Sequence, residues 1–287
     1  YEDACRKDNK TAEQLTGHAA WQPAADLAGL IRQGQDITIS KRLDSLGPDV
    51  VGLQELLTYG LKGLAAYADH AYILGQQDDE VYAFVHEALD FLTKPTPTVD
   101  ELVALSLKCG QVNLKVMGLL DTANTSAYGH PQPTAVRITP LKGKAILVSG
   151  HDLKFLEELL KQTEGTGINI YTHGEMLPAH MYPKLGDHPN LVGNYGDAWQ
   201  KQRREFAAVS GPIAGNTTCV LIPDERYQDR LFTLPPVAVP GGTVLDENDL
   251  SPLVEKALAC PPLTDNITGE STIGFHHSVI ASQLPAI

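Results

Sequence analysis

Residues 144 to 171 read strand, helix, strand, and this order restricts the fold more than any other stretch of the chain. Lys144–Ser149 (KAILVS) is a short, apolar, partly β-branched run. Gly150-His151-Asp152-Leu153 follows, then Leu153, Leu156, Leu159 and Leu160 recur at helical spacing until Gly165 or Gly167 ends the pattern. Residues 168–171 (INIY) are the next apolar run. Two strands joined by one helix lie parallel, because a parallel pair needs a crossover of this kind. Further short strands are expected near residues 191–192, 212–214 and 220–222. The fold class expected for residues 131–287 is therefore α/β, with a Rossmann-like parallel sheet.

The preceding residues follow a different period. From 51 to 74, Leu53, Leu56, Leu57, Gly60, Leu64, Ala68, Ala71 and Tyr72 recur at three- and four-residue steps, the mark of an amphipathic helix. Gly75 is a natural stop. A second helix begins near Asp78 with Val81, Phe84, Val85, Ala88, Leu89 and Leu92 on its stripe. Thr98 and Glu101 form a capping box. The third helix then carries Leu102, Leu105, Cys109, Val112, Val116 and Leu119. Three such helices with short links predict a helical bundle over residues 1–130, with a short helix near residues 24–33 before it. The polar stretch 124–131 reads as the turn between the two regions.

Bulk properties exclude some functions. A net charge of −13 opposes a nucleic-acid partner, since phosphate binding needs clustered Lys and Arg. No apolar run approaches the ~18 residues that a membrane span requires. No secretory signal precedes the four cysteines Cys5, Cys109, Cys219 and Cys260, so reduced thiols in a cytoplasm are expected. The chain starts at Tyr1 without a methionine and ends as an apolar segment begins. Both ends read as those of a fragment of a longer protein.

In open parallel sheets, ligands bind beyond the carboxyl ends of the strands. His151 lies just past the first strand, Glu175 past the second, and Cys219 past the run around residues 212–214. An imidazole, a carboxylate and a thiolate together suit a transition metal or an iron–sulfur centre. They are too far apart in sequence to form a local motif. Pattern alone leaves two readings open: a joint metal site, or three unrelated polar residues near loops. Asp152 would cap the helix after His151, turning its positive end toward the same rim.

Other motifs fail. Pro178 interrupts the stretch from His173 to His180, so it is no zinc-protease helix. Gly165-Thr166-Gly167 lacks a third glycine and precedes a strand, so it is no dinucleotide fingerprint. Cys109 lies on an apolar stripe and reads as core. Cys260, before Pro261-Pro262, reads as a loop thiol. His276 and His277 are adjacent and would point to opposite faces of a strand.

The residues around the three candidate ligands carry a resemblance. Gly60-Leu61-Lys62-Gly63-Leu64-Ala65-Ala66-Tyr67, Ser149-Gly150-His151-Asp152-Leu153-Lys154 and Gln162-Thr163-Glu164-Gly165-Thr166-Gly167 are part of it. Tyr171-Thr172-His173-Gly174-Glu175-Met176-Leu177-Pro178-Ala179, Val192-Gly193-Asn194-Tyr195-Gly196 and Asn216-Thr217-Thr218-Cys219 continue it. Over residues 51–277 the chain resembles the hybrid cluster protein family, also called prismane proteins or hydroxylamine reductases.

The resemblance implies an N-terminal helical domain and two α/β domains around a four-iron hybrid iron–sulfur–oxygen cluster. It implies that His151, Glu175 and Cys219 are three of the cluster's protein ligands. It also implies reduction of hydroxylamine to ammonia and water, or of nitric oxide, with electrons from a redox donor protein. His173, two residues from Glu175, is a candidate proton donor, with a structural hydrogen bond as the competing role. The family's N-terminal cysteine cluster, which holds a second iron–sulfur cluster, has no match here, nor has its third domain. A second iron–sulfur cluster is therefore expected only in the intact parent, and the isolated fragment is expected to be inactive. A nickel–iron carbon monoxide dehydrogenase relative and a cluster-free scaffold are the alternatives.

Overall fold

The computed structural model describes residues 2–235, 237–246, 248–275, 277, 281 and 284–286. The chain divides into two compact units, Tyr1–Asp69 with Gln77–Leu119, and His70–Gln76 with Leu120–Ile287. Six helices come first: α1 (Glu2–Lys7), α2 (Leu27–Asp36), α3 (Ile39–Leu46), α4 (Pro48–Ile73), α5 (Asp79–Leu92) and α6 (Val99–Tyr128).

The core of the first unit is built from the stripes read in the sequence. Leu57, Leu61, Leu64 and Ala68 of α4 meet Val81, Phe84 and Ala88 of α5 and Leu102, Leu105, Cys109 and Val116 of α6. A Cβ on Gly60 would lie 3.0 Å from Cys109 Sγ, so the missing side chain lets α4 and α6 close up. Leu56, Tyr72 and Leu89, expected on the stripes, are exposed. Gly75 (φ +83°) ends α4, with its N–H on the Tyr72 carbonyl and that of Gln76 on the Ala71 carbonyl. The capping box is complete. Thr98 N–H donates to Glu101 Oε2 at 2.9 Å, and Glu101 N–H to Thr98 Oγ1 at 3.3 Å. Lys94 first, then Thr98, holds the Glu101 carboxyl down at about 2.

The expected turn at residues 124–131 is mostly helix. α6 runs on to Tyr128, and the chain turns at Gly129 (φ +88°). Ala123 and Tyr128 are buried there, and that packing outweighs the weak helix preference of Asn124, Thr125 and Ser126.

Among the described residues the second unit has the strands and α-helices β1 (Thr134–Arg137), β2 (Lys144–Ser149), α7 (Leu153–Thr163), β3 (Ile168–His173), α8 (Pro183–Gly186), β4 (Leu191–Asn194), α9 (Gln202–Ala208), β5 (Ile213–Gly215), β6 (Leu231–Thr233), β7 (Thr243–Val244), α10 (Ser251–Ala259) and β8 (Glu270–Ile273). β1 and β8 form a separate antiparallel pair. The other six make one parallel sheet in the order β4-β3-β2-β5-β6-β7. Numbered by their place in the chain these strands run 3-2-1-4-5-6, the doubly wound order of Rossmann sheets. Its topological switch point lies between β2 and β5.

Both faces of the sheet are buried over its central strands, as parallel strands require, while the edge strand β7 is exposed. Ile146 and Val148 face Phe155, Leu156, Leu159 and Leu160 of α7 and Leu253 and Ala257 of α10. Ala145, Leu147 and Tyr171 face Phe206 of α9 and Tyr227. The strand expected at residues 220–222 does not form. Leu221 N–H bonds the Gln202 side chain, and Ile222 is exposed. The strand beside β5 comes later, at Leu231–Thr233.

Truncating Leu156 should cost about 2–5 kcal/mol, because its side chain is fully buried between helix and sheet. Leu114→Ala, at an exposed α6 position, should stay within about 0.5 kcal/mol. Urea unfolding midpoints of the two variants check the contrast.

Candidate metal centre

Three neighbouring strands end at one level. Ser149 is in register with His173 on one side and with Gly215 on the other. The loops leaving β2, β3 and β5 therefore start side by side at the switch point. His151 stands two residues beyond β2. β3 extends to His173, two residues past the apolar run 168–171, so Glu175 also stands two residues beyond its strand. Cys219 is on the loop after β5. The structure brings these three together: one ligand atom from each lies within 4.8 Å of the others.

Each loop is shaped by a local device. Gly150 takes φ +141°, which L side chains rarely adopt. Asp152 then caps α7, accepting from Phe155 N–H at 3.0 Å. Gly174 takes φ +57° and starts a 3-10 segment, Gly174–Met181, containing Pro178. That geometry bears out the exclusion of a zinc-protease helix. After β5, Gln202 Nε2 donates to the Cys219 carbonyl and Gln202 Oε1 accepts from Leu221 N–H, clamping the cysteine loop to α9.

The side chains contact one another. His151 Nε2 touches Glu175 Oε2. The Cys219 thiol donates to the same oxygen at 3.5 Å. His151 Nδ1 lies 2.8 Å from Thr217 Oγ1. Burial, and then the Glu175 charge, push the Cys219 thiol up to about 11. A cation among the three would reverse that effect, because a coordinated thiol ionises outright. Imidazole, carboxylate and sulfur offer the mixed donor set that iron accepts. The residues therefore fit part of an iron-containing centre. Among the described residues, no second group of three such side chains is assembled.

His173 is elsewhere. Its side chain is wholly buried beneath the rim, with Nε2 2.9 Å from Glu205 Oε2, Nδ1 3.4 Å from Ser149 Oγ, and the ring edge-on to Phe206. Burial lowers its pKa, and Glu205 opposes this. Cys109 lies in the first unit's core, as expected. Cys260 is buried at the C-cap of α10, and its carbonyl accepts from Lys144 Nζ. It stands just outside the helix, as a thiol expected in the following loop would, and its burial gives it a packing role. His276 lies outside the described residues. Asn216, Thr217 and Glu205 were not assigned roles from the sequence. Asn216 and Thr217 follow a strand directly at the switch point, and that position was the available signal.

Comparisons with known proteins agree with this architecture. A family model described as Prismane/CO dehydrogenase family matches residues 2–281. A hydroxylamine reductase of Rhodospirillum rubrum is 51% identical over 100% of this chain and 52% of its own length. Those of Acidithiobacillus ferrooxidans and Geobacter metallireducens are 49% and 48% identical over 98% of this chain, and each is covered to 51%. The chain thus spans about half the length of the curated relatives it matches. Among solved structures, a chain from the acetyl-CoA synthase/carbon monoxide dehydrogenase α subunits with NiZn[Fe4S4] and NiNi[Fe4S4] clusters superposes with a TM-score of 0.53. It is 13% identical and is matched over 99% of this chain and 44% of its own, a likeness of fold.

Two outcomes follow from the geometry. A Cβ at Gly150 would sit 1.9 Å from Asn216 Oδ1. Gly150→Ala should therefore cost more than about 1 kcal/mol and displace the His151 loop, visible as altered metal uptake and a lower melting temperature. His180 is buried, and that burial moves its pKa from 6.5 to about 4. The folded form holds the ring neutral, so the stabilisation is complete above pH 6.5. It declines as the pH falls from 6.5 toward 4, by up to about 3 kcal/mol. Urea midpoints at pH 7 and pH 4.5 should fall further for the native chain than for His180→Gln; equal drops contradict this.

Proposed function

The chain belongs to the Prismane/CO dehydrogenase family, and from that premise we propose that it is the ligand-bearing part of a hydroxylamine reductase. The observation that supports this reading most is the meeting of His151, Glu175 and Cys219 at the switch point of the sheet. These three residues would hold iron of a hybrid iron–sulfur–oxygen cluster, with the remaining ligands supplied from outside this chain. When bound, such a centre supplies electrons and an open iron position for cleaving the N–O bond of hydroxylamine, giving ammonia and water; nitric oxide is the second substrate. A redox protein is the electron donor, and the cytoplasm is the compartment. No helix among the described residues is long and apolar enough to cross a membrane.

The chain's own residues divide the work. Cys219 offers a charge-donating sulfur, and Glu175 a hard oxygen that also touches both other donors. His151 offers one ring nitrogen while its other stays engaged by Thr217. His173 is fully buried with both nitrogens paired. That environment favours bracing the turn under Glu175 over the proton-donor role.

The test uses the intact holoprotein. Glu175→Gln should lower hydroxylamine-dependent oxidation of a reduced viologen by about tenfold or more and alter the EPR spectrum of the centre. An unchanged rate and spectrum would remove Glu175 from the ligand set.

A further inference from the structure

Three donor atoms make a site only if their side chains are kept from turning away. We propose that Asn216 and Thr217 form one brace that sets the His151 ring, with Thr217 as the positioning residue. This rests on the ligand reading above and adds residues that touch the ligand, not the metal.

The brace spans the switch point. Asn216 N–H donates to the Ser149 carbonyl at 3.0 Å, continuing the β2–β5 ladder. Its side-chain amide carries the ladder further. Asn216 Oδ1 accepts from His151 N–H at 3.0 Å and from Asp152 N–H at 3.4 Å, and Nδ2 donates to the Asp152 carbonyl at 3.0 Å. Asn216 is 5% exposed, so these bonds form where water competes little. The glycine before His151 makes room for them: a Cβ at Gly150 would collide with Asn216 Oδ1 at 1.9 Å and Thr217 Oγ1 at 2.8 Å. The backbone of His151 is thereby fixed, and only its ring torsions remain free.

Thr217 restricts those torsions. Its Oγ1 lies 2.8 Å from His151 Nδ1, while Nε2 faces Glu175 Oε2. A ligating imidazole is oriented by the partner of its other nitrogen. A hydroxyl can take either role. It accepts from Nδ1–H when Nε2 is a ligand, and it donates to bare Nδ1 when Nε2–H is turned to Glu175. A carboxylate in its place could only accept, and it would add negative charge beside Glu175 and Cys219. Thr217 therefore holds the ring with and without metal and adds no charge to the rim.

The experiment titrates the 287-residue chain anaerobically with Co2+ alone and follows thiolate-to-cobalt charge-transfer absorption. The native chain should show the band and Cys219→Ser should lose it. Thr217→Val should weaken Co2+ binding about 10–100-fold, and Thr217→Ser should return it close to the native value. Circular dichroism confirms folding, and Thr217→Ala replaces the valine variant if that fails to fold. Equal affinity in the native chain and Thr217→Val overturns the brace. Equal loss in the valine and serine variants also overturns it, because a side chain that keeps the hydroxyl would then hold the ring no better than one that lacks it. A native chain without the cobalt band overturns the claim that these three residues hold a metal without the ligands from outside this chain, and the brace with it; a native band indifferent to Thr217 overturns the brace alone.

Discussion

The pairing of β2 with β5 is the contact on which the rest of the second unit depends. Leu147, Val148 and Ser149 lie beside Ile213, Ala214 and Gly215, and the two strands belong to opposite halves of a doubly wound sheet. Their connections leave in opposite directions, so the loops beyond them open a crevice rather than fill it. Two glycines permit close approaches here, Gly211 to β2 and Gly215 to the loop that carries Cys219. A Cβ on Gly211 would sit 2.0 Å from the Ala145 carbonyl oxygen, and one on Gly215 would meet Val220 Cγ2 at 2.3 Å. With that register in place, β3 adds the third loop at the same height. His151, Glu175 and Cys219 then lie within reach of one another.

The energetics of the rim and the core are opposed. Beneath the sheet edge, packed apolar side chains fill both faces and supply stability. At the rim, a carboxylate, a thiol and an imidazole are held in contact, and the thiol's ionisation is suppressed by burial and by Glu175. This arrangement does little for the fold and becomes favourable once positive charge is placed among the three. A rigid sheet can hold such a group of side chains because their backbone positions are set by strand ends and by the Asn216 amide. Paired polar side chains lie underneath, His173 with Glu205 and Thr172 with Asn194.

Much of this was legible in the sequence, for definite reasons. The stripes of α4, α5 and α6 follow the helical period, and the Thr98–Glu101 cap and Gly75 stop carry their own chemistry. β2 and β3 were visible as apolar runs flanking an amphipathic helix; the rim rule made His151, Glu175 and Cys219 candidates, and the family resemblance made them ligands. What was not legible depends on tertiary contacts. Leu231–Thr233 and Thr243–Val244 are too short to show a period. Residues 220–222 have the composition of a strand, yet their backbone bonds to Gln202 instead of a neighbour. The last turns of α6 override their own turn-forming residues because Tyr128 is buried. Asn216 bonds to a residue 65 positions away, a pairing that no local pattern encodes.

On the proposed reading, one iron-binding rim is formed by three distant residues. It is tested most directly by a crystal structure of the holoprotein with anomalous scattering at the iron edge. Iron within bonding distance of His151 Nε2, a Glu175 oxygen and Cys219 Sγ is the expected result. Iron held elsewhere in the protein, with these three side chains still in contact only with one another, would contradict it.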